Sequence, residues 1–165
     1  FRTNTFLGNM VFDVNLPPYI RNVAVKCGKT IGRGSRAWLL AFDAMIDVGE
    51  DKIADDKSVK AEFEKLESPF NAVKKVKSEG TKKRNFLSWN ARLEETFQNY
   101  KNQEAYDNIK RIIEESVERN KHNILFHEAN ACPEFWEQTR LIAGINLAVP
   151  LLKCAQSVIE SDYGG

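Results

Sequence analysis

The chain has 165 residues, of which 42% are hydrophobic and 28% are charged. This is the size of one domain, and the composition excludes a wholly disordered protein. Its 24 basic and 23 acidic residues leave a formal net charge of +1, which excludes an overall electrostatic attraction to nucleic acid or anionic lipid.

Three cysteines are too few for the disulfide scaffold of a small secreted protein, and an odd number leaves at least one free thiol. We therefore expect a reducing compartment and a cytoplasmic location. The chain begins with Phe1, so we interpret it as processed or excised. No apolar run reaches the roughly 20 uninterrupted residues of a membrane-spanning helix, so we expect no membrane insertion.

An extended N-terminal arm is predicted over residues 1–17. Four apolar residues recur there with a period of two, namely Met10, Phe12, Val14 and Leu16. Such an arm can lie across helices, exchange with a neighbouring chain or join a sheet, and the pattern does not choose among these. Pro17 and Pro18 then predict the start of a helix that ends at Gly28, with a short strand at Val23 to Val25 as the alternative.

The middle of the chain is predicted to be helical. Ser35 is a natural N-cap for a helix ending at Gly49, whose apolar residues have helical spacing: Trp38, Leu39, Phe42, Met45 and Ile46. A second apolar seam runs from Val59 to Val76. We expect Ser68 and Pro69 to divide it into two helices, because proline removes a helical hydrogen bond. Gly80 should close the second of these helices.

A long amphipathic run extends from Phe86 to Val117, and clustered asparagines predict a break near Asn102. Ile124 to Phe126 is compatible with either an extended segment or a short helix. A last helix should begin at Pro133 and bend at Pro150.

Within this last helix, residues 141–155 are apolar on all sides, which is typical of a helix enclosed by others. We therefore predict an all-α fold with a single domain over residues 1–165. It should be a helical bundle of five to seven helices, formed by residues 18–165 around a buried C-terminal helix, with residues 1–17 as the arm.

Two basic groups are candidate sites for an anion or nucleic acid. One is the glycine-rich turn with Lys29, Arg33 and Arg36, and the other is the run of Lys74, Lys75, Lys77, Lys82, Lys83 and Arg84. The common alternative is a solvated surface. The sequence CGKT at residues 27–30 lacks the upstream glycine of a nucleotide-binding P-loop, so we reject that interpretation.

Candidate chemical groups are few. His122, His127, Glu128 and Cys132 lie close in sequence, but their spacing matches no standard zinc motif, and nothing nearby would orient a cysteine and histidine pair for catalysis. We expect no metal and no cofactor. Whether the protein is an enzyme stays uncertain, with catalysis the less favoured class.

Phe135 and Trp136 are adjacent and cannot both face the same interior, so one of them is a candidate interface residue. Phe12 of the arm is another. The predicted function is a non-catalytic protein-interaction or assembly module, with a protein partner or self-association. The alternative is a nucleoprotein-like domain that binds nucleic acid, for example RNA, through the two basic groups.

Overall fold

The computed structural model describes residues 10–32, 40–48, 56–80, 86–130 and 137–163. In chain order the described elements are helix α1 (Pro18–Gly32), strand β1 (Ala41–Ile46), helices α2 (Lys57–Gly80), α3 (Phe86–Lys101) and α4 (Glu104–Arg119), strand β2 (Ile124–Asn130), a π-helical turn (Glu137–Ile142) and helix α5 (Ala148–Tyr163). The mostly helical character is confirmed. The single domain remains a prediction.

The core lies between α2, α3 and α4, and the π-helical turn packs against α3. Its buried members come from all four elements: Leu66, Phe70, Val73, Val76, Leu93, Phe97, Tyr100, Ala105, Tyr106, Ile109, Leu141 and Ile142. Along α2 and α3 these residues recur every three or four positions, and in α4 Tyr106 and Ile109 are three apart with Ala105 next to them. Each helix therefore buries one stripe and leaves the opposite side to charged residues. The helical predictions for these three segments are thus confirmed.

Helix α2 continues through Pro69, so the predicted division into two helices is wrong. A proline inside a helix costs about 3 kcal/mol, because its nitrogen cannot donate to the preceding turn. Leu66 and Phe70, on either side of the proline, are both buried in the same core. Their burial requires the two halves to stay aligned, and it offsets the cost of the proline.

The predicted break near Asn102 is confirmed. Helix α3 ends at Lys101 and α4 begins at Glu104. At the junction the Gln103 side chain donates a hydrogen bond to the Asn99 carbonyl at 2.8 Å. Tyr100 and Tyr106 on either side of it are buried, so the turn folds α4 back onto α3.

The helix predicted between Ser35 and Gly49 is wrong over residues 41–46, which form strand β1. This strand pairs antiparallel with β2, so Ile124 to Phe126 is extended. Phe42, Met45 and Ile46 have helical spacing, but the partner that makes them a strand lies about 80 residues further along the chain, beyond what local periodicity detects. Ser35, Trp38, Leu39 and Gly49 lie outside the described residues.

Helix α1 begins at Pro18 as predicted but continues past Gly28 to Gly32, and the alternative strand at Val23 to Val25 does not form. A Cβ atom added to Gly28 would lie 3.7 Å from the Phe42 ring of β1. This is an ordinary van der Waals distance, so α1 lies against the sheet at Gly28, which is inside the helix and not at its end.

The prediction of a buried C-terminal helix is wrong. Leu141 and Ile142 are buried, but the chain then leaves the core at Gly144, whose φ of 70° is left-handed. Such a φ favours glycine and ends the helical path. Helix α5 begins only at Ala148, with Pro150 in its first turn, where a missing N–H costs little. None of its described side chains is fully buried. Pro133, the predicted start of the last helix, lies outside the described residues.

Residues 10–17 form an extended arm that lies across the three core helices, as one of the alternatives predicted. Met10, Val11 and Phe12 pack against the core cluster. Within the described residues the arm joins no sheet, because the only described sheet consists of β1 and β2.

Candidate functional site

Phe12 occupies an aromatic pocket between α2, α3 and α4. Its ring centroid lies 4.9 Å from that of Tyr106 and 6.2 Å from those of Phe63 and Tyr100. The Phe63 ring meets it edge to face, an arrangement that adds attraction beyond the burial of area. The residue predicted as an interface contact is therefore used within its own chain in this structure.

Asp13 fixes the arm next to this pocket. Its carboxylate accepts a hydrogen bond from the Tyr106 hydroxyl at 2.6 Å and one from Lys101 Nζ at 3.2 Å. Lys110 Nζ lies 3.6 Å from the same carboxylate. The backbone N–H of Asp13 donates to the Tyr106 oxygen at 3.0 Å. The arm is thus held through both its side chains and its backbone, because α3 and α4 place these cations and the phenol on one side.

Burial alone would raise the pKa of Asp13. Hydrogen bonds from Tyr106 and Lys101, together with the charges of Lys101 and Lys110, outweigh burial and lower this pKa below its usual value of 3.8. Burial raises the pKa of Tyr106, and its hydrogen bond to Asp13 raises it further. Near neutral pH the carboxylate is therefore charged and the phenol keeps its proton as a donor.

These groups anchor the arm rather than present an open reactive site. Lys101 also donates a hydrogen bond to the Ile142 carbonyl, and Tyr100 donates to the Val11 carbonyl at 3.4 Å. A general base needs an unprotonated group within reach of a substrate. Here the phenol is protonated and the carboxylate already accepts hydrogen bonds from Tyr106 and Lys101, so the cluster joins the arm, α3, α4 and the π-helical turn.

A shallow groove of about 510 Å³ runs beside the arm, between residues 15–17 and the C-terminal half of α4. Asn15 reaches across it, with its backbone and side-chain N–H groups 2.7 and 2.9 Å from one oxygen of Glu114. The groove walls include Glu115, Glu118 and Arg119. The acidic residues of the groove bind either the arm or neighbouring cations. Glu114 accepts hydrogen bonds from Asn15 of the arm. Glu115 pairs with Arg111, and Glu118 pairs with Lys121.

Exposed apolar residues lie in α5 and just before it. Ile145, Val149 and Leu152 are 51%, 49% and 69% exposed. Ile145 precedes the helix, whereas Val149 and Leu152 are three residues apart within α5 and therefore lie on one side of it. The element pairs that pack extensively in the described part of the chain do not include α5. We call Val149 and Leu152 the α5 stripe.

The two-stranded sheet exposes a second apolar pair. Met45 and Leu125 are direct cross-strand partners and are 54% and 61% exposed. Asp43 and Glu128 are also direct partners and both are exposed. Asp43 and Met45 are two residues apart on β1, and cross-strand partners share a face, so all four side chains lie on the same face. A register shift between Asp43 and Ala44 is what places Leu125 and Glu128, three residues apart, on this one face. Phe42 and Phe126 contact each other on the opposite face.

Four of the predicted basic residues are described, and they lie on two helices, α1 and α2. Lys74 lies over the Phe70 ring at 5.1 Å and beside Glu67 in a shallow groove of α2. Lys75 is exposed and Lys77 is half-buried on the same helix, while Lys29 lies on α1. The other predicted basic residues, Arg33, Arg36, Lys82, Lys83 and Arg84, lie outside the described residues, as do the interface candidates Phe135 and Trp136.

Sequence reasoning missed two cations that accompany Lys29. Arg21 and Lys26 are exposed on α1, a helix whose 15 residues include no acid. Counting charges element by element would have found them. It also missed Lys101, Tyr106 and Lys110 as partners of the arm, because no local pattern connects them to Asp13, about 90 residues earlier.

No group of three or more potential metal ligands occurs among the described residues. No described helix has the length and apolar character needed to cross a bilayer. Cys27 and Cys154 are free and half-buried, whereas Cys132 is outside the described residues. The cytoplasmic location remains a prediction.

Comparison of the chain with protein-family models, with curated proteins and with solved structures gave no significant match.

Proposed function

We propose that this protein is a non-catalytic interaction and assembly module, and that the α5 stripe is its principal contact surface. The supporting observation is the exposure of Val149 and Leu152 on one side of a helix that packs extensively on no other described element, with Ile145 also exposed just before the helix. Exposed apolar side chains that lie together in this way mark contact sites on proteins.

The marginal stability of α5 by itself is the physical reason to expect a partner at this helix. A helix of 16 residues is marginal in water by itself, and in proteins most helical stability comes from packing an apolar face. Leu151, Cys154 and Ala155 on the other side of α5 are half-buried, so its own chain supports that side only in part. A partner covering the stripe would complete the packing of the helix.

The sheet supports the same proposal. An isolated two-stranded sheet is also marginal in water. Opposed like charges such as Asp43 and Glu128 weaken it further. A partner that covers Met45 and Leu125 would stabilise the pair of strands, so both weakly packed elements gain from association.

The test measures self-association directly. The mass of nuclease-treated protein is determined by light scattering over a wide concentration range for the wild type and for a Val149→Glu, Leu152→Glu double variant. We expect the wild type to associate and the variant to remain monomeric, because each glutamate would lose hydration when the stripe is covered. The same experiment in low and high salt separates apolar association, which salt does not weaken, from electrostatic association.

The matched control is a Leu87→Glu, Ile31→Glu double variant. It makes the same change of charge at two exposed apolar residues that lie on other helices. Association that survives in the control but not in the α5 variant supports the α5 stripe as the contact surface. A wild type that stays monomeric throughout, or equal loss in both variants, would contradict self-assembly through α5.

A further inference from the structure

Helix α1 carries a cationic face with no acid on it. The face consists of Arg21, Lys26 and Lys29, with Asn22 and Val25 between them, and all five residues are exposed. From Arg21 to Lys29 the helix rises eight residues, or about 12 Å. None of the three cations pairs with a carboxylate of the described residues.

The packing of α1 holds this face outward. Ile20 is buried, and Val23 and Cys27 on the same side are half-buried. Tyr19 meets the His122 ring at 4.4 Å, and Gly28 approaches the Phe42 ring. Contacts near both ends thus fix the rotation of the helix about its axis. The three cations are therefore presented together on the opposite side.

We propose that this face binds the phosphate backbone of nucleic acid without reading its sequence. This goes beyond the assembly function and uses a different surface. The chain as a whole has a formal net charge of only +1, so three unpaired cations on one helix are a local concentration of charge. A nucleic acid presents a regular row of negative charges, which matches cations spread along an axis rather than gathered at one point.

The neutral residues of the face favour phosphate over an acidic protein surface. Asn22 adds a side-chain N–H donor, and amide side chains commonly donate to phosphate oxygens. Val25 is the one apolar residue of the five, at 55% exposure. A protein interface usually has an apolar centre with aromatic anchors, which this face lacks.

The test uses a fluorescent single-stranded oligonucleotide of mixed sequence, a duplex of the same sequence and the nuclease-treated full chain. For a single strand, three phosphate contacts predict that affinity falls about 20-fold as salt rises from about 50 mM to about 200 mM. A variant with Arg21→Gln, Lys26→Gln and Lys29→Gln should lose most of the affinity and most of this salt dependence. The control replaces Arg140, Lys57 and Lys60 with glutamine, which removes the same charges from exposed residues elsewhere.

Binding that survives in the control but falls at least about tenfold in the α1 variant supports the site. Equal losses in the two variants, or no loss in either, would overturn it. So would the absence of binding to both oligonucleotides at low salt. Poly-glutamate that competes as well as the oligonucleotide at equal charge would assign the face to an acidic polypeptide and overturn the nucleic-acid proposal. Thermal unfolding of all three proteins confirms that the substitutions leave the fold intact.

Discussion

At the scale of single residues, Asp13 makes more polar contacts than any other described residue of the arm. Asp13 bonds Tyr106 and Lys101 and lies beside Lys110. Replacement by asparagine keeps the shape but removes the charge. We expect Asp13→Asn to reduce the free energy of unfolding by about 1–3 kcal/mol, since hydrogen bonds between charged groups are the stronger kind. Urea denaturation measures this, and an unchanged midpoint would show that the arm contributes little.

The same carboxylate predicts a dependence on pH. Its pKa is lower in the folded protein than the usual value of 3.8, so its contribution is present above that value and is lost as pH falls through the folded pKa. The difference in unfolding free energy between the wild type and Asp13→Asn should be constant from about pH 7 down to about pH 5 and shrink below about pH 4. A difference that grows on acidification would contradict this assignment.

Gly80 gives a second prediction at this scale. A Cβ atom there would lie 2.2 Å from the Trp89 ring, and this indole donates a hydrogen bond to the Val76 carbonyl at 2.8 Å. Gly80→Ala should destabilise the protein by about 1–3 kcal/mol, because the ring must shift within its packing. Gly32→Ala is the control, since nothing lies within 4 Å of the added carbon. Equal thermal midpoints in the two variants would contradict the close approach.

At the scale of elements, the sequence predicts a helix correctly where the apolar residues at helical spacing are also the residues that the fold buries. This holds for α2, α3 and α4. The clustered asparagines also predicted the break at Asn102 correctly. Strand β1 could not be predicted in this way, because Phe42, Met45 and Ile46 fit a helix equally well and the deciding partner is β2, far along the chain. The contacts of Asp13 could not be predicted from local patterns either, because Asp13 and Tyr106 are 93 residues apart in the chain.

The C-terminal segment was misassigned for a different reason. Apolar composition shows that residues 141–155 avoid water, but it does not show whether their own chain or a partner covers them. Leu141 and Ile142 enter the core, and the residues after Gly144 leave it. An apolar composition is therefore equally compatible with a central buried helix and with a helix that contacts a partner.

At the scale of the whole molecule, the arm and α2 to α4 hold most of the buried core, and among the described elements α5 is peripheral to it. A chain that ends at Ile145 keeps the buried Leu141 and Ile142 and removes α5. We expect it to unfold cooperatively with a thermal midpoint within about 4 °C of the full chain and to lose self-association. Calorimetry and light scattering measure the two effects. A shortened chain that fails to fold would show that α5 belongs to the core.

Among the described residues, α5 keeps an apolar side exposed, and the proposed assembly depends on this exposure. Hydrogen exchange followed by mass spectrometry tests it most directly, on dilute protein shown by light scattering to be monomeric. The amides of residues 148–157 should then exchange far faster than those of α3, and should become protected as the concentration rises and the protein associates. Protection of α5 equal to that of α3 in the dilute monomer would contradict the account, because it would mean that the helix is already packed within its own chain.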